Sequence, residues 1–316
     1  MTKIAFIFPG QGSQQVGMGL EFVQNSNESK AFYDKANEAL QFDLSKLMLE
    51  GPAEELTLTY NAQPALLTTG VMIADKLIKA GIQPDYTAGH SLGEYSAFVT
   101  SGAMSFEDAV KTVHKRGLFM NEAVPAGLGA MAAILGLDAD SLREVCEQVS
   151  AQGDTVQLAN LNCPGQIVIS GTKLGVEKAS VAAKEAGAKR AIPLVVSGPF
   201  HSSLMKEAAV KLQEEIESIT IQTPQIPIIS NVKAELLLDA EEIKNEMIEQ
   251  VYSPVLWEDD VRKMLELGVT TFIECGPGKV LSGLVKKVDR SVKTFCVYDE
   301  ASLNEVVESL RGEQIG

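Results

Sequence analysis

The chain has 316 residues, enough for a substantial core in one large domain or two, and its 45% apolar content, 26 Gly and 12 Pro describe an ordinary globular composition. Its 27 basic against 42 acidic residues leave a net charge of −15, which argues against nucleic acid and anionic membrane as partners. The run Ile4 to Phe8 is too short for a signal segment, no later run reaches membrane-span length, and Cys146, Cys163, Cys275 and Cys296 form no C-x-x-C pair, so a cytoplasmic protein without zinc or disulfides is expected.

Lys3 to Phe8 is a continuous apolar run stopped by Pro9-Gly10, the pattern of a strand buried on both faces of a parallel sheet. Helical patterns follow over 28–40 and 64–80. Asp85 to Ala88 reads as a short buried strand, Gly89-His90-Ser91-Leu92-Gly93 as a tight turn, and Glu94 to Val99 as a helix start with an acidic residue in its first turn. A helix from the N-cap Ser105 to Asn121 comes next. Strand and helix alternate, which indicates an α/β sheet.

From Gly127 the rhythm changes. Ala130 to Leu135 predicts a strand, Asp138 to Val149 a helix, Thr155 to Ala159 and Gln166 to Ser170 two strands about an Asn-Cys-Pro-Gly turn, Lys173 to Ala186 a helix and Lys189 to Val195 a strand. That order is β-α-β-β-α-β, the ferredoxin-like pattern. The parent sheet resumes with Ile226 to Ser230, Val269 to Glu274 and Val292 to Val297, between helices near 202–218, 240–251, 258–267, 278–288 and 301–311. The expected fold is thus α/β, a hydrolase-like, mostly parallel sheet flanked by helices. Residues 1–126 and 198–316 would form this core and 127–197 an inserted ferredoxin-like subdomain, with a ligand cleft between the two lobes.

The turn at 89–93 fits G-x-S-x-G, in which a serine sits on a strained turn between strand and helix and two glycines avoid collision with the neighbouring backbone. A serine hydroxyl needs a base, usually histidine, and the chain has three. His90 adjoins Ser91 and should point elsewhere, and His114 lies inside the 105–121 helix as a solvated or packed side chain. His201, in the loop Val196-Ser197-Gly198-Pro199-Phe200-His201, is the remaining candidate base, or else it caps the helix that follows.

Phe8-Pro9-Gly10-Gln11-Gly12-Ser13-Gln14 ends the first strand on the side where α/β sheets bind ligands. Gln15 stands where a dinucleotide loop needs glycine, so an anion-binding loop beside the elbow is the better reading. Arg116 borders the stripe Phe106, Val110, Val113, Gly117 and Met120, where most arginines snorkel to water. The basic groups Lys111-Lys115-Arg116, Lys184-Lys189-Arg190 and Lys286-Lys287-Arg290 read as solvated helix faces or as a patch for an acidic partner.

Taken together, the chain resembles the malonyl-CoA:acyl carrier protein transacylase family of fatty acid synthesis and its polyketide acyltransferase relatives. The resemblance runs through 8–14, Gly89 to Glu94, Arg116-Gly117, Asn162-x-Pro164-Gly165-Gln166, Gly198-Pro199-Phe200-His201-Ser202, Ser230-Asn231-Val232, Gln250-x-x-Ser253-Pro254-Val255-x-Trp257 and Gly276-Pro277-Gly278. It implies a ping-pong transfer in which Ser91 attacks malonyl-CoA while His201 takes its proton, and the phosphopantetheine thiol of acyl carrier protein then attacks the malonyl-Ser91 ester. It further implies an oxyanion hole from the backbone of Gln11 and Leu92, a carboxylate clamp in Arg116, and a main-chain carbonyl near Gln250 that orients His201 in place of an Asp. Asp138, Asp140 and Asp154 are in triad order but fall in the insert, and are discounted. Asn162 and Asn231 are implied as further histidine-orienting or substrate-binding residues, and Phe200 resembles the malonyl-type pattern in which a bulky ring crowds out a 2-methyl group.

The implied partners are malonyl-CoA and, transiently, acyl carrier protein, with no nucleic acid, membrane, metal or cofactor, and the chain is expected to be a monomer. A serine hydrolase or thioesterase on a similar elbow is one alternative, although a hydrolase of neutral esters gains nothing from a buried cation. A polyketide-type acyltransferase using another acyl-CoA and a non-catalytic binding module are the others.

Overall fold

The computed structural model describes residues 2–314, with side chains to 311. In chain order the first half contains β1 (Lys3–Phe8), α1 (Leu20–Asn25), α2 (Asn27–Leu40), α3 (Leu44–Glu50), α4 (Ala53–Thr57), α5 (Thr59–Lys79), β2 (Tyr86–Gly89), α6 (Leu92–Thr100) and α7 (Phe106–Glu122). There follow β3 (Gly129–Leu135), α8 (Ala139–Ser150), β4 (Val156–Cys163), β5 (Gln166–Thr172), α9 (Lys173–Glu185) and β6 (Arg190–Pro193). A 3₁₀ turn over Ser203–Met205 leads into α10 (Lys206–Glu217), β7 (Ile228–Ile229), β8 (Leu236–Leu237) and α11 (Ala240–Glu249). The chain closes with α12 (Trp257–Glu266), β9 (Val269–Cys275), α13 (Val280–Val288), β10 (Lys293–Val297) and α14 (Glu300–Gln314).

Six strands form the large sheet in the order β10-β9-β1-β2-β7-β8, with every neighbour parallel except the antiparallel pair β7–β8. Central β1 shows why its sequence is apolar without alternation. Phe6 and Phe8 face one cluster with Leu67, Met72 and Phe98, while Ala5 and Ile7 face a second with Trp257, Val261 and Leu281. Because ligand loops of such sheets lie beyond the carboxyl ends of the strands, β1 and β2 deliver residues 9–14 and 90–91 to the same edge. Residue His90 donates its main-chain N–H to the Phe8 carbonyl at 3.0 Å, which ties the two loops together.

The small sheet has the order β4-β5-β3-β6 and is antiparallel throughout, the ferredoxin-like arrangement expected from its element order. Ala132, Ile134, Val156 and Ile169 bury one face of it against Leu142 and Val145 of α8 and Val176 and Ala179 of α9. Met131 and Val168, pointing the other way, join the core of the large sheet. Strand β4 continues past its expected end at Ala159 to Cys163, with irregular register near Leu158 and Leu161. The extension is held by the other lobe, since the Val255 N–H donates to the Ala159 carbonyl and the Leu161 N–H to the Val255 carbonyl, at 2.8 and 2.9 Å.

Helix α5 begins at Thr59 rather than at the expected residue 64, so Pro64 lies inside it. A proline there leaves the carbonyl four residues back without its helical donor. His114 Nδ1 lies 2.7 Å from that Tyr60 carbonyl, which gives this histidine a packing role between α5 and α7. Helices α1, α3 and α4 and the two-residue β8 have no counterpart in the sequence reading, being too short to display a period. Among the described residues no helix is long and apolar enough to cross a membrane, and no group of three or more His, Cys, Asp or Glu is arranged to hold a metal ion.

Candidate active site

Ser91 ends the turn from β2 into α6 with φ 53° and ψ −110°, a backbone conformation that a residue with a side chain adopts only at a cost of order 1–3 kcal/mol. The flanking glycines have separate reasons to be glycine. A Cβ on Gly89 would sit 1.9 Å from the Gly93 carbonyl carbon, and one on Gly93 would sit 2.0 Å from the Phe8 carbonyl oxygen on β1. The strand, the turn and the helix therefore meet at van der Waals contact, and Ser91 is presented to a cavity of about 240 Å³.

The Ser91 Oγ lies 2.7 Å from His201 Nε2. His201 reaches it from the loop before the 3₁₀ turn, also in the left-handed region at φ 55°. Its Nδ1 is 2.8 Å from the main-chain carbonyl of Gln250. A carbonyl can only accept, so Nδ1 carries the proton and Nε2 presents its lone pair to the serine hydroxyl. Burial, reinforced by the charge of Arg116, pushes the imidazole down to about 3, which keeps it neutral at physiological pH.

Arg116 does not snorkel: it is 1% exposed, with its guanidinium turned inward along α7. Nη1 donates to Gln63 Oε1 at 2.7 Å, and Nη2 donates to Gln250 Oε1 at 2.7 Å and to Ser91 Oγ at 3.2 Å. Its Cζ lies 5.5 Å from the centre of the Tyr95 ring, and Nε has no hydrogen-bond partner. The approach depends on Gly117, where a Cβ would come within 2.5 Å of the Tyr60 Cα. Among the described residues no carboxylate lies within ion-pair distance of this cation, and its fork is held by neutral amide oxygens that an incoming anion can displace.

Gln250 caps the carboxyl end of α11 and joins these groups. Besides its carbonyl on His201 and its Oε1 on Arg116, its Nε2 donates to the Ser91 carbonyl at 2.8 Å and to Glu94 Oε2 at 2.7 Å. Asn231 Oδ1 accepts from the Ser91 N–H at 2.8 Å, and its Nδ2 donates to the Gly89 carbonyl and to Asp260 Oδ2. Asn231 is therefore behind the elbow rather than in the cavity. Asn162 Oδ1 is 2.8 Å from His90 Nε2, whose ring also lies beside Trp257, so this histidine lines the cavity but is engaged by Asn162.

Gln11, Leu92 and Phe200 line the cavity with Met120, and the small sheet and the loop that leaves it add Met131, Asn160 and 194–196. The Gln11 side chain donates to Thr59 Oγ1, itself 2.9 Å from Ser197 Oγ, which pins the loop to both lobes. Residues with other expectations lie elsewhere. Asp138 caps α8, Asp140 pairs with Arg143, and Asp154 pairs with Lys178, all away from His201. Lys115 pairs with Glu215, Lys286 is spent on the carbonyls of Arg290 and Val292, and Lys287 donates to Gln166 on β5.

Gln63, Glu94, Asp260 and Asn160 went unnoticed as parts of the site. Gln63 carried a visible signal, a polar side chain on a helix face otherwise apolar, now 1% exposed. Glu94, expected only as the acidic residue in the first turn of its helix, is fully buried.

The acyl transferase domain family matches residues 5–314. Among curated proteins, the chain is 60% identical over 313 residues, 99% of each, to the malonyl CoA-acyl carrier protein transacylase of Bacillus subtilis. It is 45% identical over 98% of its own length and all of the enzyme of that name from Haemophilus influenzae. Among solved structures, the malonyl CoA-acyl carrier protein transacylase from Clostridium perfringens superposes with a TM-score of 0.96 at 45% identity, covering 99% of both chains. A malonyl-transacylase in complex with a type II polyketide acyl carrier protein superposes at 0.95 and 43% identity, covering 98% of this chain and 100% of that one. With the match running over nearly all of the described residues and the elbow, histidine and arginine drawn into one site, the chain belongs to the acyl transferase domain family, among the malonyl CoA-acyl carrier protein transacylases.

Proposed function

We propose that the chain moves a malonyl group from malonyl-CoA to the phosphopantetheine thiol of acyl carrier protein, in fatty acid synthesis, through a malonyl ester on Ser91. The observation that carries this reading is a nucleophile 2.7 Å from a neutral histidine and 3.2 Å from a buried arginine that faces no carboxylate. The malonyl carboxylate supplies the missing anion, taking the Arg116 fork from Gln63 and Gln250, in a geometry that lysine cannot reproduce.

Ser91 Oγ attacks the thioester carbonyl as its proton passes to His201 Nε2, and the Gln250 carbonyl holds Nδ1–H as the imidazolium forms. The main-chain N–H groups of Gln11 and Leu92 receive the oxyanion, each worth about 3 kcal/mol if matched to the developing charge. Collapse expels the CoA thiolate, which takes the proton from His201. The carrier thiol then attacks the ester by the same path in reverse, His201 accepting its proton and returning it to Ser91. Phe200 crowds the position that a 2-methyl group would fill.

One chain supplies every group in these steps, so a monomer suffices, and the proton and acyl transfers call on no cofactor. Residues 127–197 are read as a unit inserted between core halves 1–126 and 198–316, forming the far wall of the cleft. Its setting is the cytoplasm, with neither membrane nor nucleic acid as partner. The test is intact mass spectrometry after incubation with malonyl-CoA and then with phosphopantetheinylated acyl carrier protein. One malonyl adduct on Ser91, discharged by the carrier and absent from Ser91→Ala, is expected; an adduct that survives Ser91→Ala, or discharge by water alone, refutes the transfer.

A further inference from the structure

Three buried carboxyls, Glu94, Glu246 and Asp260, stand behind the elbow without a part in the transfer just described. Their partners differ. Glu246 accepts from Ser230 Oγ and the Val232 N–H, which closes a turn, and Asp260 accepts from Asn231 Nδ2. Glu94 alone among them contacts Gln250, and each of its oxygens has a donor: Oε1 the Asn231 N–H at 2.8 Å, Oε2 the Gln250 Nε2 at 2.7 Å.

The Gln250 side chain has two orientations of nearly equal shape, related by exchange of Oε1 and Nε2. In the one observed, Oε1 meets the Arg116 donor and Nε2 meets acceptors on Glu94 and Ser91. The flipped amide would set donor against donor at Arg116 and acceptor against acceptor at Glu94. Arg116 alone could enforce that choice, but the proposed substrate takes the Arg116 fork away during the reaction. Two acceptors for Nε2 then remain, the Ser91 carbonyl on the turn itself and Glu94, and Glu94 is the one held independently of the turn, by the Asn231 N–H. Burial and the neighbouring charge of Glu246 push its carboxyl upward; ionised, both oxygens only accept, and protonated, they still accept from the Asn231 N–H and Gln250 Nε2 provided the O–H turns toward neither.

We infer that Glu94 is a positioning residue for the transfer: by accepting on both sides it fixes the Gln250 side chain and the Asn231 main chain, and through them His201, Arg116 and the turn at Ser91. The inference rests on the malonyl-transfer reading. It locates the control of base and clamp in one residue on the nucleophile's own helix, which touches neither substrate nor reacting atoms.

The experiment measures kcat and KM for malonyl-CoA and for acetyl-CoA in wild type, Glu94→Gln, Gln250→Ala and the double variant, with near-ultraviolet circular dichroism for folding. Glu94→Gln places an amide NH₂ against one of two donors and should lower kcat/KM for malonyl-CoA by about 10- to 100-fold. The ratio of malonyl to acetyl transfer should fall with it, which a purely structural residue would not alter. In the Gln250→Ala background the same substitution should cost clearly less than it does in wild type, because its route through the Gln250 side chain is gone and only its hydrogen bond to the Asn231 main chain remains to be lost. Losses that multiply, an unchanged malonyl-to-acetyl ratio, or a Glu94→Gln enzyme within twofold of wild type would overturn the inference. If Glu94→Gln does not fold, Glu94→Asp, which keeps two acceptor oxygens one methylene short, is read against the same outcomes. A wild-type chain that forms no malonyl-Ser91 adduct would instead sink the transfer reading itself.

Discussion

The two sheets handle charge in opposite ways. Around the elbow the large sheet and its helices bury Glu94, Arg116, Glu246 and Asp260 together with His201, each held by hydrogen bonds to named neighbours. The small sheet keeps an apolar interior of Ile134, Leu142 and Ile169 and puts its charges outside, as in the pairs Asp140–Arg143 and Asp154–Lys178. Desolvating a charge is expensive, so polar groups stay in an interior where their geometry is used, and are otherwise driven to the surface. The lobe with the costly interior holds the reacting groups, and the lobe with the ordinary one supplies a wall.

This contrast can be broken most severely at the elbow. Ser91→Ala should abolish the malonyl adduct and cut transfer by on the order of 10⁴-fold or more, measured by mass and by steady-state rate; residual adduct would move the nucleophile elsewhere. His201→Ala should cost about 10²- to 10⁴-fold in acylation rate. Arg116→Ala should lower malonyl transfer by about 10²-fold while acetyl transfer changes only a few fold, and equal losses would remove the carboxylate role.

The pH dependence sharpens the same point. With His201 pushed from an ordinary 6.5 to about 3, the folded chain stays unprotonated there while the unfolded chain takes up a proton. Its contribution to stability is complete above pH 6.5 and is lost as pH falls toward 3. Urea melts of His201→Gln should therefore lose less stability than wild type over that interval, and parallel curves would mean a hydrated imidazole. At the mild end, Asp154→Asn in the small lobe should change stability by no more than about 0.5 kcal/mol and leave kcat/KM untouched.

Much of the architecture was readable because it is written in local pattern. The unbroken apolar run at β1, the Gly89 and Gly93 spacing and the β-α-β-β-α-β order each reflect a constraint that acts within a few residues. Arg116 and Glu94 were legible as residues but not in their surroundings. Residues one turn apart on α7 share a face, yet whether that face meets water or Gln63 and Gln250 depends on helices 53 and 134 positions away. The early start of α5 was hidden for the same reason, since only His114 from another helix offsets the bond lost at Pro64.

By itself the sequence determined where the chain must turn, which faces it must bury and which serine sits under strain, because sterics and hydrophobic periodicity are short-range. Tertiary structure alone decided that a glutamine carbonyl rather than an aspartate steadies His201, that Arg116 is buried facing no carboxylate, and that Glu94 lies beneath the nucleophile. Those are outcomes of desolvation and hydrogen-bond geometry, which exist only once distant segments have been brought together.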